Sequence, residues 1–246
     1  METTIDKLLD GRFALEQPKK GYRMAVDTLL LAASVPATEG QRALDLGCGV
    51  GGVMLALRTR VSGLRIDGVE IQPALAQLCA SNIARNNFQG QLCVKEGDLK
   101  HPDLIEEGVF DHVVMNPPYH DDKTHLRSPD PSKALACSEG DEADLGAWIA
   151  CAARALKDGG MMSLIHRYDR LDDIMVNAGA FFSTLVVKPI ISKEGQTPKR
   201  VIVRGVKGKG SPSRIDAPPF ILYSEQGRYS QEGESILRGA KVLEFF

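Results

Sequence analysis

Apolar residues along the first three quarters of the chain fall into two alternating kinds of stretch. Ala43 to Leu46, Ile66 to Glu70, Leu92 to Lys95, Val113 to Met115 and Met161 to His166 are short apolar runs bounded by glycine, proline or acids. That is how strands buried on both faces read. Between them Val53 to Thr59, Pro73 to Asn86 and Glu142 to Leu156 carry helical spacing, and further helices are predicted over Met24 to Ser34 and Leu171 to Ala178. Pro73 opens its helix at a turn where a missing N–H does no harm, and Lys157-Asp158-Gly159-Gly160 closes another with a basic turn and glycines. Strand and helix in alternation imply parallel pairing, and so an α/β doubly wound sheet.

The rhythm then changes. Thr184 to Ile191 and Arg200 to Val206 are β-rich runs around a polar tip at 193–198, which reads as a hairpin. Gly208 to Pro219 reads as a Gly/Pro/Ser link, Phe220 to Tyr223 as a last edge strand, and the end, Leu243 to Phe246, as an amphipathic tail. Residues 1–22, with Gly11, Pro18 and Gly21, read as an irregular lead-in, and the polar stretch 120–140 as a long loop. The whole is expected to be one domain, 1–246: a lead-in and helix to residue 40, a core over 41–183, and a hairpin and tail over 184–246.

Composition narrows the class. Hydrophobic residues at 43% and charged ones at 25% are ordinary globular values. No run approaches the roughly 18 apolar residues of a membrane span, and the first residues are acidic and polar where a signal peptide is basic and then apolar, so a cytoplasmic protein without a membrane role is expected. Cys48, Cys79, Cys93, Cys137 and Cys151 are scattered, suggesting neither disulfides nor zinc. His120 and His125, with the carboxylates between them, lie on a polar loop more typical of solvated side chains, and no metal is expected. Net charge is −2, yet Lys188 to Arg214 holds eight basic side chains against one acid. Lys199, Arg200, Arg204, Lys207 and Lys209 are candidates for phosphate contact, the plain alternative being a solvated hairpin face.

Two motifs carry chemistry. At the end of the fourth strand, Pro117 and Pro118 cannot continue a ladder, so Asn116 and Tyr119 are fixed at a strand's carboxyl end, where open α/β sheets bind ligands. The amine of adenine, or a carboxamide nitrogen, is a poor nucleophile because its lone pair is delocalised. The Asn116 side-chain carbonyl and the Pro117 backbone carbonyl can accept its two hydrogens, while Tyr119 offers a stacking face. The plain alternative is an ordinary Pro-Pro turn. Upstream, Asp45-Leu46-Gly47-Cys48-Gly49-Val50-Gly51-Gly52 is a strand-to-helix glycine turn. Its spacing satisfies a dinucleotide fingerprint, but an acid two residues before the first glycine sits badly beside a pyrophosphate and suits a cationic ligand. Glu70 and Asp98 end the next two strands, placed for ribose hydroxyls and an adenine amine; each alone also reads as a turn or cap residue. Three acids in that order, then Asn-Pro-Pro-Tyr, fit S-adenosylmethionine.

These motifs resemble the class I methyltransferases that modify adenine N6 or glutamine N5. Gln17 to Ala32, Leu164 to Leu171, Pro198 to Gly205 and Gly227 to Ser230 extend the resemblance to the bacterial tRNA adenine-N6 methyltransferases. The resemblance implies a Rossmann-like, seven-stranded, mostly parallel sheet with a C-terminal antiparallel hairpin. It further implies S-adenosylmethionine as donor and adenine in tRNA as acceptor, with no obligate protein partner evident. By motif match Asp45, Gly47, Gly49 and Gly51 line the methionine end of the cofactor, Glu70 its ribose and Asp98 its adenine. Asn116, Pro117, Pro118 and Tyr119 form the catalytic tetrad, Asn116 also bordering the cofactor, and Gln17, Tyr22 and Asp27 roof the pocket. The alternatives are a protein glutamine N5-methyltransferase, a DNA adenine methyltransferase, which would need a target-recognition region not evident here, and an RNA-binding module with a vestigial site.

Overall fold

The chain opens with a β-hairpin, β1 (Thr3–Leu8) and β2 (Phe13–Pro18), where an irregular lead-in was expected. Phe13 and Leu15 alternate with half-buried neighbours, a strand's period of two. The turn between the strands places Leu9, Asp10 and Gly11 at positive φ, so Gly11 serves the turn instead of breaking the structure. The computed structural model describes residues 2–20, 23–101, 103–119 and 145–246.

After α1 (Val26–Ser34) the alternation runs β3 (Arg42–Leu46), α2 (Gly52–Arg60), β4 (Arg65–Glu70), α3 (Pro73–Arg85), β5 (Leu92–Glu96) and β6 (Phe110–Met115). It resumes with α4 (Leu145–Ala155), β7 (Leu156–Arg167), α5 (Leu171–Ala178), β8 (Phe182–Ile191) and β9 (Arg200–Lys207). β10 (Ser213–Asp216), β11 (Phe220–Ile221) and α6 (Gln231–Leu237) complete it. The sheet has the order β10-β8-β9-β7-β6-β3-β4-β5, with β11 also on β8. Strands β3 to β7 are parallel, and β9 lies antiparallel between β7 and β8. These are the seven expected strands. β11, in the stretch read as a last edge strand, and β10 bring the sheet to nine strands among the described residues, both parallel to β8. β10 lies in the stretch read as a link, and all four of its residues are exposed, so no apolar period marked it. Lys157 to Gly160 belong to β7 and do not close α4. The register between β6 and β7 shifts there, and Gly159 has φ +77°.

One apolar cluster joins α1, α2 and α3 to one face of the sheet, and a second joins α4 and α5 to the other. The chain reverses direction of travel across the sheet at β3, between β4 and β6, which is the crevice where such folds bind ligands. Among the described residues no helix is long and apolar enough to cross a membrane.

Two fastenings hold elements over this crevice. The C-terminal tail clasps α1: Leu243 N donates to Ala33 O at 2.9 Å, and the Arg204 guanidinium lies 4.0 Å from the centre of the Phe245 ring. The N-terminal hairpin is pinned by Asn82 of α3, which is fully buried. Its amide donates to Glu16 O at 2.8 Å and Val50 O at 3.0 Å, and accepts from Glu16 N at 2.8 Å. One side chain thus ties the hairpin, α3 and the glycine turn. Asn82→Ala would strip partners from three backbone groups, and we expect it to lower unfolding free energy by about 2–4 kcal/mol, read as a lower urea midpoint at unchanged slope.

Candidate active site

β3 ends at Leu46, and the next turns require glycine: Gly47, Gly49 and Gly51 have φ of +66°, +55° and +88°. They differ in what they face. A methyl at Gly47 would come within 2.5 Å of the Trp148 ring, and one at Gly51 within 2.8 Å of Cys79 Sγ. One at Gly49 would meet nothing within 4 Å. Gly47 and Gly51 therefore admit neighbouring side chains, while Gly49 leaves bare backbone open to a ligand. Trp148, the one tryptophan, went unnoticed in the sequence because it sits in an ordinary apolar helix pattern.

Beneath this turn lie two buried carboxyls. Asp45 is 1% exposed, and its Oδ2 has no hydrogen-bond partner. Burial pushes its pKa well above the ordinary carboxylate value, the Glu70 charge adds to this, and a hydrogen bond from the Met54 backbone opposes it. Glu70 accepts from Gly49 N at 2.8 Å and Gln72 N at 2.9 Å. Burial raises its pKa too, partly offset by those amides. A buried oxygen without a donor, beside a second carboxyl, is the environment a cationic group relieves. The site therefore fits the ammonium end of S-adenosylmethionine. Asp98, beyond β5, is half-buried and accepts from Lys100 N at 2.9 Å, which also satisfies its reading as a turn residue.

β6 ends level with β3, Met115 opposite Leu46, so the proline stop leaves the sheet beside the glycine turn. Asn116 is half-buried, Pro117 buried, Pro118 half-buried and Tyr119 37% exposed. The Tyr119 hydroxyl donates to Asp27 Oδ2 at 3.4 Å, and its ring meets His166 edge-on, centroids 4.9 Å apart at 60°. Arg200 Nε donates to the same Asp27 oxygen at 2.6 Å. Burial raises the Asp27 pKa, and the attraction of Arg200 works against it. Burial likewise lowers His166 to about 4, so its imidazole is neutral at physiological pH, and its buried Nδ1 has no partner.

The sheet edge thus brings together Asp45, Gly47, Gly49, Gly51, Glu70 and Asn116 to Tyr119. Others fall elsewhere. Asp27, expected over the cofactor, faces Tyr119 and Arg200. Gln17 accepts from Met24 N at 2.8 Å and donates to Asp6, fastening the hairpin to the start of α1. Tyr22, His120 and His125 lie outside the described residues. The basic strip is divided by strand alternation. Arg200 and Arg204 share the face covered by α1, where Arg204 is half-buried, bonds Ser34 O and packs on Phe245. Lys207 Nζ donates to Leu156 O at 2.6 Å. Arg200, Arg204 and Lys207 are half-buried and have partners within the fold, while Lys199 and Lys209 are exposed. The sequence lacked any signal of the Asp27–Arg200 pair, whose members are 173 residues apart.

A family model described as Methyltransferase small domain matches residues 21–128. A tRNA1(Val) (adenine(37)-N6)-methyltransferase from Porphyromonas gingivalis is 30% identical over 240 residues, covering 90% of this chain and 89% of that protein. One of the same name from Aeromonas salmonicida is 29% identical over 224 residues, covering 89% and 90%. Among solved structures, an Agrobacterium tumefaciens protein described as a predicted O-methyltransferase superposes with TM-score 0.73 at 22% identity, covering 88% of this chain and 98% of that one. A T. thermophilus 16S rRNA methyltransferase in complex with AdoMet and guanosine gives TM-score 0.55 at 21% identity, covering 88% and 47%. At these identities the structural likeness is one of fold, the class I methyltransferase fold.

The buried Asp45 carboxyl sets a pH dependence in the ligand-free protein. Its folded pKa lies above the unfolded one, so the stability it lends is full at low pH and is lost as pH rises through the raised value. Asp45→Asn removes that loss. Its melting temperature should exceed wild type by a few degrees at pH 8 and converge with it towards pH 4, in thermal scans across that range.

Proposed function

The chain belongs to the family of the bacterial tRNA1(Val) (adenine(37)-N6)-methyltransferases, and from that premise we propose that it methylates N6 of adenine 37, beside the anticodon, in a valine tRNA. The observation that carries this reading is the side-by-side exit of the glycine turn and Asn116-Pro117-Pro118-Tyr119 from β3 and β6.

S-adenosylmethionine, when bound, supplies an electrophilic methyl group on a sulfonium. In this reading Asp45 Oδ2 and the backbone at Gly49 hold its amino-acid end, Glu70 takes the ribose hydroxyls and Asp98 the adenine. Asn116 and Pro117 accept the two N6 hydrogens of the target base through their carbonyl oxygens. The nitrogen lone pair, otherwise spread into the ring, becomes localised and directed, and Tyr119 stacks on the base extruded from the RNA. No base is needed before transfer, and His166, lowered to about 4 by burial, is a poor one. Lys199 and Lys209 are the exposed cations of the hairpin strip suited to phosphates. Such an enzyme works where tRNA is processed, in the cytoplasm. The glutamine alternative shares the tetrad, but the matched relatives cover nine-tenths of both chains and bear the adenine activity in their names.

The test is transfer of labelled methyl to total tRNA from a strain lacking the gene, followed by nucleoside analysis. Label should appear as N6-methyladenosine at position 37 of a valine tRNA; label in protein, or none in RNA, would overturn the reading. Asn116→Ala should lower turnover about 100-fold while cofactor affinity, followed by Trp148 fluorescence, stays at the wild-type value.

A further inference from the structure

Tyr119 ends the tetrad at an exposed position, and the two prolines before it restrict the backbone but not the swing of its ring. A stacking face is useful to the reaction only if its plane is fixed, since small misplacements of a reacting group cost rate. The ring is held from two directions by groups remote in sequence. Its tip donates to Asp27 Oδ2 of α1 at 3.4 Å, and its ring packs at a steep angle against the ring of His166 at the end of β7. Asp27 has a side chain only 5% exposed and would be an unneutralised buried carboxylate without Arg200 of β9, whose Nε lies 2.6 Å from the same oxygen. The other oxygen, Oδ1, is buried without a partner, so the pairing of Asp27 converges on the atom that receives the tyrosine.

We propose that Arg200 and Asp27, with His166 as the opposite wall, are positioning residues that lock the Tyr119 ring in the plane that receives the acceptor base. The assignment rests on the stacking role given to Tyr119 above. It moves Asp27 from the cofactor to the acceptor side, and Arg200 from the RNA backbone to the interior of the site. The 3.4 Å contact is longer than an ideal O–H···O bond, and the ring contact with His166 supplies the second hold. The hairpin β8–β9 is thereby wired to the acceptor pocket through one ion pair.

The full chain labelled with 3-fluorotyrosine provides the test, because the Tyr119 resonance among five tyrosines is identified by its loss in Tyr119→Phe. Asp27→Asn and Arg200→Gln should each shift or broaden that resonance and lower kcat about tenfold, with cofactor affinity within about twofold of wild type. Arg200→Lys, which keeps a cation, should restore part of the turnover. Asp27→Asn combined with Tyr119→Phe should lose no more than the worse single variant. A resonance that stays put, a resonance that moves while kcat is unchanged, or cofactor affinity that falls in step with kcat would each overturn the assignment. Should Asp27→Asn fail to fold, Tyr119→Phe decides, since it removes only the hydroxyl; wild-type kcat in that variant overturns the lock. A wild-type protein that labels no adenine in RNA sinks the functional reading separately. The resonance and the turnover on whichever acceptor takes label still decide for or against the lock.

Discussion

The level pairing of β3 with β6 is the constraint from which the site follows. Parallel strands joined through helices bury both faces, so side chains within them serve the core, and only the residues just past the last ladder bond are free for chemistry. With Leu46 opposite Met115, the glycine turn and the proline stop leave the sheet at the same height. A register slip of one residue would exchange the faces of every side chain in β6 and carry Asn116 away from the turn. With both faces of β3 and β6 buried, it is the fit of individual side chains that opposes such a slip.

Three polar atoms without partners stand at this edge, among others elsewhere in the described residues. Asp45 Oδ2, Asp27 Oδ1 and His166 Nδ1 are all buried and unpaired. Leaving a buried polar atom without a partner costs stability, and at this edge an incoming ligand can offset that cost. The two acids are raised in pKa by burial and the histidine is lowered, each moved towards its neutral form. An environment of that kind rewards an incoming cation at Asp45, and at Asp27 it gives Arg200 its purpose.

Much of this was legible in the sequence because it is local. Glycines at a strand end, acids at successive strand ends and a Pro-Pro stop are short-range signals, and the parallel core strands fell where apolar runs predicted. The N-terminal hairpin escaped because its turn uses Leu9 and Asp10 at positive φ, residues that seldom adopt it, so Gly11 was taken for a breaker. β10 escaped because an exposed edge strand needs no apolar period. Charge counts ignore alternation, so the basic strip gave no sign that Arg200 and Arg204 bond groups of α1. Trp148 against Gly47 and Arg200 against Asp27 are encounters across long sequence distances, which no pattern along one chain records.

The tail that clasps α1 governs the order in which the enzyme can be completed. Leu243 and Phe245 are buried, and the bond from Leu243 to Ala33 joins a segment that follows every strand of the sheet to a helix that precedes them all. Arg60 also reaches the tail, donating to Lys241 O at 2.7 Å. During synthesis the strands of the parallel core, β3 to β7, all emerge before the tail does. The clasp waits for the tail, since its residues emerge after every element that they hold. α1 carries Asp27, so the acceptor side of the pocket takes its final form only once Leu243 and Phe245 have emerged. A chain stalled on the ribosome short of Leu243 would own the glycine turn and the tetrad yet lack the clasp on the helix that faces them.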